Sequence, residues 1–319
     1  MTVARRLSWG LLILVTVLAV FPDFLAPYSP VRQHRDWPFA SPGRYADARV
    51  ELFVHGDAYT WLGVVPASLH LFGAKAPGRI FVLGTDELGR DWFSRLCHGA
   101  SVSLIAAPIA AALSMLLAVV FGTWGGVRGG IADAVVMRAS EVFVVLPWFY
   151  VVVALRAALP LTLGAPATLI AVFGLLAVLG AATPLRLFRG LVLSLNNREF
   201  VLAARAAGGS DRWILWRHLA PHLWPAVWTQ LLVSVPAYII TEATLSFMGL
   251  GVAEPVPTWG SMLAPLQQYV VITSYPWMWA PAIAIVLVCV SLQVVARTRP
   301  PSRYPSPQTP TSLPDPLSR

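Results

Sequence analysis

Residues 200–221 read FVLAARAAGGSDRWILWRHLAP, a run of alanine and arginine broken by Gly-Gly and set between two long apolar stretches. Asn196 precedes it with Glu199 three residues on, the spacing of a capping box in which the acid reaches back to the cap. Good helix formers follow. Gly208-Gly209 then stops the helix, because glycine tolerates the left-handed conformation of a helix end. Ser210 is the next predicted N-cap, with Asp211 in the favourable first turn. A second short helix is expected through His218, closed or kinked at Pro221. Phe200, Ala203, Ala204 and Ala207 share one side at i, i+3, i+4 and i+7. That side fits another protein's groove. It also fits an amphipathic loop lying on lipid headgroups. Helix physics alone leaves both readings open.

The surroundings decide the class. Hydrophobic residues make up 57% of the 319 and charged residues 12%, with a mean hydropathy of +0.67. Soluble domains carry about 25% charged residues, so this chain lacks the polar surface to cover a globule in water. The net charge of +8 is nearly all arginine beside apolar runs, which argues for membrane topology and against nucleic-acid binding. Cys97 and Cys289 form neither a disulfide framework nor a metal pair.

About 20 apolar residues span a bilayer as a helix. Six stretches qualify: 7–25, 100–124, 139–159, 167–185, 223–247 and 279–295. The first lacks a small-x-small cleavage site and reads as an uncleaved helix. Arginines crowd the links between spans two and three and between four and five, and both terminal flanks. Links 160–166 and 249–278 contain no Lys or Arg. The positive-inside rule therefore puts both termini, and the opening stretch, in the cytoplasm.

The chain divides into an N-terminal helix (1–26), an extracytoplasmic loop of irregular structure with short elements (27–99), a five-helix core (100–297) containing loop 187–221, and a disordered Pro/Ser-rich tail (298–319). Within the loop, residues 84–91 read as a capped amphipathic helix, with Trp92, Phe93 and Leu96 against the membrane interface. Tyr269, Tyr275, Trp277 and Trp279 read as an outer aromatic belt or as contacts for a docking protein.

Ionisable residues in apolar spans are costly and often functional. Glu141 and Arg156 sit near opposite edges, whereas Glu242 lies deeper, where structural pairing and pathway lining both fit. His218 and His222 have the i, i+4 spacing of a zinc pair, but Pro221 interrupts them and no Glu follows His218. No catalytic constellation and no metal cluster is visible. The single lysine, Lys75, is not followed by Ser or Thr, so a phosphate-binding P-loop is excluded.

Residues 200–208, Ser210-Asp211 and Arg217-His218-Leu-Ala-Pro221 resemble the EAA loop of ABC importer permeases. Four further stretches are similar to the dipeptide/oligopeptide/nickel permease family, in the shorter of its two permease types. They are Leu25-Ala-Pro-Tyr-Ser-Pro30; Leu83-Gly-Thr-Asp-Glu-Leu-Gly-Arg-Asp91 with Ser94-Arg95; Gly125-Gly126 through Arg138, Glu141 and Pro147; and Thr244-Leu-Ser-Phe-Met-Gly-Leu-Gly251 with Trp259-Gly-Ser-Met-Leu263. The sequence departs from that pattern at Leu202, which replaces the acid that names the loop, at Ala220-Pro221-His222, and after the last span.

The resemblance implies an all-α membrane protein with six transmembrane helices and the type I ABC importer permease fold, in a bacterial-type cytoplasmic membrane. It implies a transport subunit and not an enzyme. Phe200, Ala203, Ala204, Ala207, Gly208, Ser210 and Asp211 would form the ATPase-coupling loop. The implied partners are a second permease subunit in a heterodimer, two cytoplasmic ATPase subunits and an extracytoplasmic binding protein. The chain itself would hold no cofactor, with ATP and Mg bound by the ATPases. Peptide is the leading cargo, with nickel or another small solute as the alternative. An ion-coupled secondary transporter would need ionisable groups through the midplane, and few are present.

Overall fold

The computed structural model describes residues 3–61, 65–75, 77–160, 164–251 and 254–297, so the expected disordered tail lies outside the described residues. Helix α1 (Val3–Val20) leads through the short α2 (Pro22–Leu25) into the long loop. The loop is not merely irregular: it contains β1 (Gly43–Tyr45), β2 (Glu51–Trp61), β3 (Val65–Gly73) and β4 (Arg79–Phe81). β1 pairs antiparallel with β4, and β2 with β3, Glu51 opposite Gly73. Short alternating runs such as SLHLF on β3 suit a half-buried strand, and the all-α expectation is corrected to mostly α on this account.

Residues 84–91 form a turn, not a helix. Gly84 and Gly89 take left-handed φ values of 70° and 71°, and Gly89 sits where a Cβ would strike the His34 carbonyl. Helix α3 (Trp92–Arg128) starts immediately after. Its N-cap Asp91 accepts hydrogen bonds from the Ser94 amide (2.8 Å) and hydroxyl (2.5 Å). Trp92, expected at the membrane interface, is instead packed in the core, and Phe93 meets Phe72 of β3.

Asp91 is fully buried, and burial pushes its carboxyl up to about 7, with Asp86 adding to the rise. Between its ordinary 3.8 and about 7 the folded state therefore holds a proton that the unfolded chain has released. The group's contribution is most favourable at low pH and is lost as pH rises through about 7. Buried His34, pushed down to about 4 by burial and by Arg79 and Arg32, has the opposite slope below 6.5. Asn is an equally good N-cap. The thermal midpoint of the wild type should thus fall, relative to Asp91→Asn, between about pH 5 and about pH 8. Parallel curves for the two proteins would refute this assignment.

At 1.5 Å per residue, α3 is roughly 55 Å long. It makes the most extensive helix pairing with α6 (Ala165–Asn196). Between them in sequence, α4 (Gly130–Val145) and α5 (Trp148–Ala158) are bent by 84°, so the expected third span is broken at Leu146-Pro147. Proline disfavours a helical residue before it, and Leu146 is accordingly extended. Helices α7 (Glu199–Ala206) and α8 (Asp211–Ile214) follow, then a π turn (Leu215–Leu219) and α9 (Ala220–Phe247). A 3₁₀ turn (Ser261–Gln267), α10 (Tyr269–Ser274), another 3₁₀ turn (Pro276–Trp279) and α11 (Ala280–Arg297) complete the described chain. Among the described residues, five helices are long and apolar enough to cross a membrane, or six if the bent pair is one span.

Two hydrophobic cores stack along the bundle. One, towards the loop, includes Trp92, Val152, Phe173, Ile239 and Trp259. The other, towards α7, includes Met115, Val136, Phe188, Val201, Ile214 and Leu223.

Candidate functional site

The predicted helix, turn, helix is present, with a different start. Asn196 is the last residue of α6, not a cap of α7, because Leu191, Val192 and Leu195 still pack on the core and carry the helix on. Its side chain instead ties two elements: Nδ2 donates to the Gly126 carbonyl (3.1 Å) and Oδ1 accepts from Arg205 (3.5 Å). Arg198 occupies the N-cap position without a side-chain cap.

The end of α7 is a Schellman motif. The Gly209 amide donates to the Ala204 carbonyl and the Gly208 amide to that of Arg205, at 3.0 and 2.9 Å. Gly208 has φ +83°, and a Cβ on Gly209 would sit 2.8 Å from the Ala204 oxygen, so both glycines are required. Ser210 caps α8 by accepting from the Trp213 amide at 3.4 Å. Asp211 faces Arg205 at 3.9 Å.

The four-residue side proposed from helical spacing is divided. Ala204 turns inward with Val201, whereas Phe200, Ala203 and Ala207 are exposed. Phe200 stacks on His222, with ring centroids 5.1 Å apart and planes 15° apart, and lies 6.2 Å from His218. The helix does not end at Pro221: residues Asp211–Phe247 run on as one 37-residue helix. The π turn places the Ala220 amide on the Leu215 carbonyl, which widens the helix just before the residue that lacks an N–H. His218 and His222 serve as the shelf behind Phe200, a role that no spacing rule pointed to. Nearby, Arg189 of α6 grips Asp133 of α4 through two bonds of 2.5 Å each.

Glu242 sits at a buried polar junction nearer the loop end. Ser103 of α3 donates to Oε2 at 2.9 Å and Ser246 to Oε1 at 2.7 Å. The Trp259 amide donates to the same Ser103 hydroxyl (3.2 Å), and its indole N–H donates to the Leu96 carbonyl (3.0 Å). The turn carrying Trp259 is inserted between α3 and α9 because Gly99 and Gly260 leave room, a Cβ on Gly260 lying 2.6 Å from Ala243 Cα. A groove of about 260 Å³ beside the broken span is lined by Phe143, Trp148, Leu179, Tyr238 and Thr241 among others. Glu242 faces the packed side and its neighbour Thr241 faces the groove.

Glu141 is half-buried and pairs with Arg138 at 3.0 Å on the same helix. Arg156 is half-buried at the end of α5. Of the expected aromatic belt, Tyr269 and Trp279 are exposed, but Tyr275 stacks on Phe39 (4.2 Å, 5°) and Trp277 donates to the Thr85 carbonyl (3.1 Å). Those two rings hold the loop onto the bundle. Beside them, Arg95, only 2% exposed, meets Glu254 at 2.8 Å, and Arg90 reaches Glu254 and Asp86.

Helices long and apolar enough to span a membrane, with a helix, glycine turn, helix at one end and a structured loop at the other, fit a multi-pass membrane transport component. The chain belongs to the family described as binding-protein-dependent transport system inner membrane component, whose model matches residues 118–298, more than half of its length. It is 34% identical over 203 residues to the oligopeptide transport system permease protein OppC of Bacillus subtilis (strain 168), covering 64% of each chain. To the dipeptide transport system permease protein DppC of the same organism it is 33% identical over 252 residues, 79% of this chain and 66% of the relative. A di/tripeptide transport system permease protein DppC of Pseudomonas aeruginosa (strain UCBPP-PA14) is 31% identical over 259 residues, 81% of this chain and 74% of the relative. The chain thus spans about two thirds of the length of the first two relatives.

Proposed function

We propose that this chain is the membrane-embedded permease subunit of an ATP-driven, binding-protein-dependent importer of short peptides. The observation that carries the reading is the α7–Gly208–α8 segment, which presents Phe200, Ala203 and Ala207 outward from a rigid end of the bundle. Small exposed residues around one aromatic ring allow close insertion into a partner's groove. The names of the relatives support peptide as the cargo.

In this reading the bent α4–α5 pair counts as one span, making six among the described residues, and both termini and α7 lie in the cytoplasm, which the arginine asymmetry supports. A second permease subunit completes the pathway, two ATPases bind ATP and Mg beneath it, and a binding protein delivers peptide at the loop face. Closing of the ATPase pair on ATP drives the two α7 helices together and shifts access from one side to the other. Glu242 anchors the turn carrying Trp259 during that motion.

Co-purification with the candidate ATPases tests the reading. Phe200→Asp puts a charge where an apolar ring must be buried, and Gly208→Pro removes both the amide and the φ that close α7. Each is expected to reduce recovered ATPase at least tenfold while the chain stays folded. Undiminished association in both variants would exclude α7 as the contact.

A further inference from the structure

Where α8 passes through the π turn, the chain carries a shallow basin of about 440 Å³ lined by Ser210, Arg212, Trp213, Trp216 and Arg217. The two guanidinium groups are exposed, and neither has an ion-pair partner among the described residues. Arg205 next door faces Asp211, and Arg138, Arg189, Arg90 and Arg95 each face a carboxylate as well. The rings are conspicuous too. Trp216 is 70% exposed and Trp213 49%, although the edge of Trp213 rests on His218 at 4.8 Å.

Ser210 is spent on capping the Trp213 amide, so one wall of the basin is held in place. Further along the same continuous helix, Trp224 and Trp228 are also exposed and meet edge to face at 5.7 Å. The spanning helix thus carries two further exposed indole rings beyond the basin. Indole rings with a polar N–H settle at the headgroup level of a bilayer, and arginine offers paired N–H donors to a phosphate.

We infer that Arg212 and Arg217, framed by Trp213 and Trp216, form a binding site for the phosphate headgroup of an anionic phospholipid in the leaflet on the α7 side. The lipid's acyl chains would run along the Trp224 and Trp228 side of α9, and its phosphate would supply the counter-charge that the chain itself does not. A site there tethers the α7–α8 turn to the membrane surface. The inference needs only that the chain spans a bilayer, and it holds whatever the cargo.

Native mass spectrometry of the detergent-purified full chain, titrated with phosphatidylglycerol or phosphatidylcholine, tests it. Phosphatidylglycerol is expected to give the dominant adduct. The Arg212→Gln/Arg217→Gln pair should weaken it roughly tenfold or more, since each arginine at a headgroup contributes about a factor of five. The Arg→Lys pair, which keeps the charge but loses the paired donors, should bind between the wild type and the glutamine pair, and inorganic phosphate should not displace the lipid. Should the arginine pair fail to fold, Trp216→Ser with both arginines intact carries the test and should also lose adduct. Equal adducts for the two lipids, unchanged binding in the glutamine pair or in Trp216→Ser, or displacement by inorganic phosphate would each overturn the proposal. So would a glutamine pair that keeps phosphatidylglycerol yet loses the ATPase on co-purification, because the basin would then be a protein contact.

Discussion

Replacing Glu242 by leucine is expected to destabilise the helix bundle strongly, whereas Glu242→Gln should be mild. The carboxyl accepts from Ser103 on α3 and Ser246 on α9, and the Ser103 hydroxyl in turn accepts from the Trp259 amide. Leucine leaves both hydroxyls buried without their acceptor, at about 1–3 kcal/mol each. Hydrogen bonds between membrane helices average less than that, near 0.6 kcal/mol. A total of about 2–4 kcal/mol follows for Glu242→Leu, since the inserted turn must also repack. Glutamine keeps one carbonyl acceptor at nearly the same volume, and its amide can donate to a hydroxyl that turns round, so about 1 kcal/mol is expected. Thermal unfolding in detergent, followed by the loss of monodisperse protein, reads the difference. Indistinguishable leucine and glutamine variants would mean that the junction is not what holds the turn.

That junction links two regions separated by most of the chain's core. Helix α9 begins at the His222 shelf behind Phe200 and carries Glu242 some five turns later. One helix therefore touches both the α7 segment and the turn bearing Trp259. In the proposed importer it gives movement at one face a direct mechanical route to the other.

What the sequence made legible was what depends on local chemistry or on overall composition. Gly208 was readable because a left-handed helix end wants glycine, and Ser210 because an orphan amide wants a hydroxyl. The spans were readable from hydropathy, although α3 extends well past the apolar window because Asp91 caps it in the loop. Pro147 marked the break between α4 and α5, yet the apolar run through it read as one span. Strands β2 and β3 went unread because apolar and polar residues alternate along only part of each, as in SLHLF of β3. Tyr275, Trp277 and Trp92 look alike in sequence to any interfacial aromatic. Only the tertiary fold shows that the first two grip the loop and the third fills the core. Asn196 met every local rule for a cap and was claimed instead by a long-range bond to Gly126, since packing outweighs a single cap.

The seam between α3 and α6 should tolerate little added volume. Gly122 and Gly126 have the small-xxx-small spacing that lets membrane helices approach at backbone distance. A Cβ on Gly122 would lie 2.5 Å from the Leu185 carbonyl oxygen and 3.2 Å from the Arg189 amide, so backbone atoms would have to move. On Gly126 it would meet the Val192 side chain at 2.9 Å, which can yield in part. Gly190 of α6 has nothing within 4 Å. Overpacking a tight core costs about 1–3 kcal/mol, and more when backbone is displaced. Gly122→Leu should therefore cost roughly 3 kcal/mol or more and lower the yield of folded protein, since that is a large fraction of a domain's stability of about 5–15 kcal/mol. Gly126→Leu should be intermediate, and Gly190→Leu close to neutral. The order matters more than any single value: hydropathy alone ranks all three substitutions as equally welcome in a membrane helix, whereas contact at the seam separates them. Yield and thermal midpoint of the three purified variants decide it, and equal tolerance at 122 and 190 would mean that the two helices do not meet at that distance. Displacing Arg189 would also pull its guanidinium from Asp133, so Gly122→Leu should loosen α4 along with the seam, measurable as faster proteolysis at the link between α3 and α4.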